Sequence, residues 1–445
     1  MASSNACPAL LIAAPASGEG KTTLVAALAR YHRQQGRRVR VFKTGPDFID
    51  PTILERASGS PVYQLDLWMV GDESCRQLLY EASLTADLIL VEGVMGLFDG
   101  DPSSADLAQT FGLPVLLVID SSAMAQTFGA VALGLADYRG ALTIAGVIAN
   151  RVASPGHAVM LQQSLPLSIP WLGAVFTDEQ ITLPERHLGL QLADEVDTLE
   201  QKLNAGADQI AQTALATLPI TPVKFPTTAA PVQAKLLAGV RIGIARDSAF
   251  CFVYPANLQL LEQMGAELSY FSPLNDAHPG KVDALYLPGG YPELQLNQLA
   301  ENRAMLTAIA DFYHADRPIV AECGGMIYLL KSLRHHDGNR RHLAGVIDAN
   351  ATLKKRLGGL GLQSFEFRRG VLRGHTFHYA GFDQPPKFSA HANQATSDAA
   401  GEGIIRQRGL VASFIHWYFP SNPAVTAELF MPDPTDTDTS SNDPI

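Results

Sequence analysis

The passage from Ala9 to Gln34 constrains this chain most. Ala9–Ala14 (ALLIAA) is a wholly apolar run, long enough for one buried strand and too short for a helix. It opens into Pro15-Ala16-Ser17-Gly18-Glu19-Gly20-Lys21-Thr22, and Lys21–Gln34 then carries apolar residues at helical spacing. A buried strand, a glycine-rich loop and a helix in that order call for a sheet covered on both faces. Small residues in such a loop let backbone N–H groups wrap phosphate oxygens, and the helix N-terminus adds positive potential. Gly18 and Gly20 supply the turn, Lys21 a point charge for the outer phosphates, and Thr22, followed by Thr23, a hydroxyl for Mg²⁺. The loop departs from the usual GxxxxGK[ST] pattern at its first position, where Pro15 stands in place of Gly.

The same alternation recurs. Arg38–Lys43 alternates as a strand, and Ala86–Glu92, Leu113–Asp120 and Ile144–Asn150 are further apolar runs, most of them separated by helix-like segments. The implied fold class is α/β, with a mainly parallel sheet. Pro219, Pro222, Pro226 and Pro231 crowd one stretch, which suits an extended linker. Alternation then restarts with Val240–Ala245, Ala284–Pro288 and Pro318–Glu322. The expected organisation is a first domain over 8–218, a linker over 219–239, a second domain over 240–430 and a disordered tail over 431–445.

Composition narrows the function classes. The 445 residues are 47% hydrophobic and carry a formal net charge of −11, which argues against a nucleic-acid binder but leaves room for anionic small substrates. Cys7, Cys75, Cys251 and Cys323 are far apart, with no metal-ligand spacing, so a reducing cytoplasmic setting is expected. No apolar run reaches the roughly 20 residues of a membrane span.

A nucleotide site needs carboxylates for its metal. Asp47 and Asp50 follow the second strand, Glu92 ends the strand run at the place of a Walker-B acid, and Asp99 lies in Gly96-Leu97-Phe98-Asp99-Gly100. Strand carboxyl ends gather ligands in parallel sheets, so all four acids are candidates for one site, with Lys43 as a second phosphate contact.

The second half carries a different chemistry. Ala321-Glu322-Cys323-Gly324-Gly325 places a Cys between a buried strand and a helix, a turn that exposes a nucleophile. The helix N-terminus is expected to favour its thiolate. Leu287-Pro288-Gly289-Gly290-Tyr291 follows another strand, and the N–H groups of Gly290 and Gly324 are candidates for an oxyanion hole. His416 is the candidate base, whereas His375 and His378 either line a site or simply sit in a strand.

Together these residues resemble the cobyrinic acid a,c-diamide synthase family of cobalamin biosynthesis. The resemblance runs over roughly residues 8 to 430, on APASGEGKTT, KTGPDFIDP, VYQLDLW, VEGVMGLFDG, LPERHLGL, YLPGGYPE, AECGGM and SFIHWYFPSNP in that order. It implies a dethiobiotin-synthetase-like P-loop ATP domain joined to a class I glutamine amidotransferase domain, acting on a corrin polycarboxylate with glutamine and ATP. The implied metal group is Thr22, Asp47 and Glu92; Asp50 and Asp99 are implied near the reacting carboxylate, and Asn150 on the adenine side. Cys323 matches the nucleophile and His416 the residue that activates it. Ordinary class I glutaminases carry Glu two residues after the His, where Tyr418 stands here, a departure the family shares. Thr376 stands where an acid is expected between His375 and His378. Two other readings are a cobyric acid synthase-like amidotransferase and a partner-regulated ATPase of the Min or Par type. Against the latter, Ala16 occupies the position of that class's signature Lys.

Overall fold

The structure, a computed structural model, describes residues 4–186, 189–217, 221–228 and 233–432. Most of the expected tail, the middle of the Leu183–Leu190 motif and part of the expected linker therefore lie outside the described residues. Backbone contacts divide the chain into two units, Met1–Ala230 and Pro231–Ile445.

In the first unit, β1 (Ser4–Ala13), β2 (Val39–Thr44), β3 (Tyr63–Leu65), β4 (Leu88–Glu92), β5 (Val115–Asp120), β6 (Ile144–Val152) and β7 (Trp171–Phe176) form a parallel sheet. Its order is β3-β2-β4-β1-β5-β6-β7. The apolar runs read as buried strands are buried because helices cover both faces; every residue of β4 is buried, Glu92 included. The helix Lys21–Gln34 turns Leu24, Val25 and Leu28 into the core. β1 lies between β4 and β5, so the direction of strand addition reverses around it. That reversal opens a crevice at the carboxyl end of β1, where the glycine loop begins.

Two short pairs complete this unit. β8 (Glu185–Arg186) and β9 (Gly189–Leu190) are antiparallel, and β10 (Pro222–Pro226) runs antiparallel to the start of β1, with Asn5 opposite Phe225. Residues 222–226 were expected in an extended linker; they form an edge strand instead. Prolines at both of its ends are compatible with an edge, and buried Phe225 anchors it.

The second unit begins with parallel strands β11 (Arg241–Ala245), β12 (Glu267–Phe271), β13 (Ala284–Leu287) and β14 (Ile319–Glu322). A side sheet follows, formed by β15 (Leu330–Arg334), β16 (Arg340–His342), β17 (Ile347–Leu353) and, later in the chain, β20 (Ala380–Phe382). β18 (Gly359–Phe367), β19 (Gly370–His378), β21 (Ala390–Gln394), β22 (Ala400–Gln407), β23 (Leu410–Ser413) and β24 (Ile415–Tyr418) return to the main sheet. Its order is β12-β11-β13-β14-β23-β22-β21-β18-β19-β24. From β23 outward the pairing is antiparallel, a meander that strand–helix alternation does not announce. β23 itself pairs in parallel with β14, Glu322 opposite Ser413, and this brings the end of the chain's fold beside Cys323.

Candidate active sites

In the first unit the glycine loop wraps the start of the helix. Gly18 and Gly20 have φ of 83° and 87°, a left-handed conformation that side chains resist. A Cβ at Gly20 would also run into the Asn150 side-chain amide, whose Nδ2 donates to the Glu19 carbonyl at 2.8 Å. The Pro15 carbonyl oxygen packs against Gly96, where a Cβ would lie 2.5 Å from it. Lys21 Nζ donates to the carbonyls of Ala16, at 2.8 Å, and Met95, at 2.6 Å. Burial, then the neighbouring Lys43, lower its pKa.

Next to this loop the strand-end acids converge on one cation. Lys43 Nζ lies 2.9 Å from Asp50, 2.9 Å from Glu92 and 3.6 Å from Asp47. The Thr22 hydroxyl donates to Glu92 Oε1 at 2.7 Å and to Asp50 Oδ2 at 3.2 Å. Burial penalises the Lys43 ammonium, but Asp50, Glu92 and Asp47 outweigh it and hold its pKa well above the usual lysine value. Burial pushes Asp47 up to about 8, with repulsion from Asp50 adding to it, and raises Glu92. Asp50 is also opposed by burial, yet Lys43 and its hydrogen bonds bring it below the usual carboxylate range.

These side chains line a cleft of about 510 Å³ with Gly18, Gly20, Thr23, Asn150, Arg151 and residues 176–178 and 181–183. Asp99 is not part of that lining. Its Oδ2 accepts the Gly96 N–H at 2.9 Å and closes the Gly96–Asp99 turn, which follows Met95 at φ 51°. Asp47 has a second duty too, accepting the N–H groups of Ile49 and Asp50 at 2.8 and 3.2 Å.

The donor set suits Mg²⁺. It consists of hard oxygens, and Glu92 Oε2 is buried with no hydrogen-bond partner. Among the described residues no three acids, histidines or cysteines form a ready-made cage. Mg²⁺ usually takes only one or two carboxylates, the rest being phosphate and water.

In the second unit Cys323 caps β14 at φ 44°, ψ −103°, a strained turn for a side chain other than glycine. Its N–H donates to the Ser413 carbonyl at 2.8 Å, and Trp417 N–H donates to Glu322 Oε1 at 3.0 Å, so both ends of the segment carrying His416 are tied to the elbow. A Cβ on Gly324 would sit 3.1 Å from Gly290 N, so the two oxyanion candidates face one another closely. A Cβ on Gly289 would collide with the His416 ring. The Gly289–Gly290 turn thus adjoins both Gly324, next to Cys323, and the His416 ring.

One expectation is corrected here. The helix after Cys323, Gly324–Tyr328, is five residues long, and burial pushes the thiol pKa up, with Glu293 as the next cause. The Gly324 N–H acts in the opposite sense but does not prevail. His416 is pushed well below its usual range by burial, then by His375 and His378. Burial therefore favours the uncharged form of both side chains.

Three neighbours were missed. Glu322, quoted only as part of the Cys motif, is buried between Trp417 N–H and the Tyr286 hydroxyl, the latter 2.9 Å from Oε2, and burial lifts its pKa to about 8. Glu402 supplies the acid absent at Thr376: it accepts from Thr376 at 3.1 Å and lies 2.9 Å from His378 Nε2. A lone acid between two glycines in β22 was the available signal. Tyr254, 3.0 Å from His375 Nδ1, had none.

Comparison with known proteins agrees with this division. Residues 10–190 match a family described as CobQ/CobB/MinD/ParA nucleotide binding domain, and residues 241–424 one described as CobB/CobQ-like glutamine amidotransferase domain. The chain is 55% identical to a hydrogenobyrinate a,c-diamide synthase of Stutzerimonas stutzeri, over 96% of this chain and 99% of that protein. It is 54% identical to the Pseudomonas aeruginosa protein of the same name, over 96% and 98%. It is 48% identical to a cobyrinate a,c-diamide synthase of Herminiimonas arsenicoxydans, again over 96% and 98%. With both halves matched and relatives aligned over nearly their full length, the chain belongs to the cobyrinate and hydrogenobyrinate a,c-diamide synthase family.

Proposed function

We propose that this protein uses ATP and glutamine to convert the c and a acetate side chains of cobyrinate or hydrogenobyrinate to amides, through an acyl phosphate. The observation that carries the reading is the presence of two chemically different sites in one chain. One is a phosphate-loop cleft with Thr22, Lys43, Asp50 and Glu92 on a common centre; the other is an elbow cysteine tied to the segment that carries a buried histidine.

A carboxylate resists amidation because oxide is a poor leaving group. In the first site a corrin carboxylate oxygen attacks the γ-phosphorus of ATP, giving acyl phosphate and ADP, and catalysis is mainly positioning and charge stabilisation. Lys21 turns from its backbone carbonyls to the phosphates, Gly18 and Gly20 present N–H groups, and Asn150 sits on the adenine side. Thr22, Asp47 and Glu92 are the residues to hold Mg²⁺, which when bound neutralises phosphate charge. Asp50 then faces the acceptor carboxylate, and Lys43 is a second phosphate contact. Asp99 acts on that acceptor through the turn it closes, because it does not line the cleft.

In the second site Cys323 Sγ attacks the glutamine side-chain carbonyl carbon while His416 takes the thiol proton. The N–H groups of Gly290 and Gly324 stabilise the oxyanion, and the proton returns to the departing ammonia. Water then hydrolyses the thioester to glutamate. Ammonia attacks the acyl phosphate, phosphate leaves, and the amide forms.

The two relatives nearest in identity of those named above carry the metal-free corrin in their names, which makes hydrogenobyrinate the acceptor to assay first, beside cobyrinate. Cys323→Ser is expected to lose glutamine-dependent amidation and to retain amidation with added ammonium salt, read by product mass. Loss of both activities in a folded variant refutes the two-site reading.

A further inference from the structure

An imidazole that takes a proton from a thiol must hold one nitrogen toward sulfur. In ordinary class I glutaminases a Glu two residues along the strand does this, but here that residue is Tyr418.

The strand register supplies another device. β19 and β24 pair with His375 directly opposite His416, and residues opposite each other in a sheet share a face. The two rings are stacked, with centroids 5.0 Å apart and planes 19° from parallel. The Gly289 backbone abuts the His416 ring, and Phe252 lies 6.1 Å from it. Rotation of the imidazole out of its plane would therefore need His375 to move.

His375 is itself fixed. The Tyr254 hydroxyl is in hydrogen-bond contact with its Nδ1 at 3.0 Å, and the Tyr254 ring meets the Tyr418 ring edge-on at 5.6 Å. All of these side chains are buried, Tyr254 being 1% exposed, Tyr418 2% and His375 4%. His378, on the same strand, is spoken for elsewhere: it stacks on Phe414 at 3.8 Å and is held by Glu402 and the Ala380 carbonyl. Burial pushes His375 down to about 3, so its ring stays neutral at working pH and does not compete for the thiol proton.

We infer that Tyr418, Tyr254 and His375 form a packed relay that positions the His416 imidazole, in place of the carboxylate of a complete triad. The inference rests on the reading of His416 as the base. His375 and Tyr254 are positioning residues, and the orientation they provide is steric: a neutral ring fixes a plane without stabilising imidazolium.

The test is a double-mutant cycle on glutamine hydrolysis in the full-length enzyme, with ammonium-dependent amidation as the control for the rest of the chain. General-base assistance is worth about 10²- to 10⁴-fold, so misaligning the base is expected to remove about 10- to 100-fold of kcat. His375→Ala is expected to lower kcat by that amount with the KM for glutamine within about threefold, and His375→Phe, which keeps a flat ring, to recover part of it. Tyr254→Phe, a mild change, is expected to lose about three- to tenfold by the same split. In a His416→Ala background, His375→Ala should cost nothing further, because residues that act as one unit are not additive. The inference is overturned if the His375→Ala loss is equal in both backgrounds, if it appears only in KM, or if it is below twofold. Should His416→Ala itself leave glutaminase activity intact, it is the assignment of the base that fails.

Discussion

Among the described residues Lys43 is the ammonium paired with all three carboxylates at the ends of β2 and β4, and replacing it by Met, of similar length, removes that shared partner. Lys43 and Glu92 are 3% and 1% exposed, so water cannot substitute for the lost partner. Removing one member of a buried ion pair costs about 3–5 kcal/mol. A ceiling follows from protonation: Glu92 can escape by staying neutral, and holding a carboxyl of ordinary pKa about 4.3 protonated at pH 7 costs about 4 kcal/mol, at about 1.4 kcal/mol per pH unit. The two figures agree. The sign is fixed, because an acid whose folded pKa is raised loses stability as pH climbs above its unfolded value. The Lys43→Met penalty should therefore be about 4 kcal/mol at pH 7 and about 2 kcal/mol smaller at pH 5.5. Hydrogen exchange of the slowest amides in β1, β4 and β5 reports this unit alone. A penalty below about 1 kcal/mol at pH 7, or one equal at both pH values, would show that Lys43 does not neutralise these acids.

Gly20→Ala imposes a left-handed backbone costing about 1–2 kcal/mol and a clash with the Asn150 amide, so ATP affinity measured by calorimetry should fall at least about tenfold. Glutamine hydrolysis should be unchanged. Glu322, lifted to about 8 from 4.5, makes the second unit lose stability as pH rises between those values. Glu322→Gln should flatten that slope in urea-inactivation midpoints of glutaminase activity; an unaltered slope assigns it to other groups.

The parts legible in the sequence are those whose geometry is local. The loop from Pro15 to Thr22 and the acids at the ends of β2 and β4 follow from strand–helix alternation, because parallel strands place their carboxyl ends together. Cys323 between glycines was legible for the same reason. What escaped depends on register and depth. His375 meets His416 only because β19 and β24 pair in one register, and Glu402 reaches His378 only because Gly359, in β18, carries no side chain in the space between them. The thiolate expectation failed because burial, which a sequence window does not disclose, outweighed a five-residue helix. Pro222–Pro226 read as linker because prolines mark both linkers and strand edges.

The adjacency of β14 and β23 has a consequence in time. Cys323 is made well before the strand that holds it, and His416 arrives only with β24, after the whole antiparallel excursion has been synthesised. At about 5–20 residues per second, with domains folding as units from the N-terminus, the phosphate-loop unit has many seconds to fold first. A nascent chain therefore carries its ATP site before it can release ammonia.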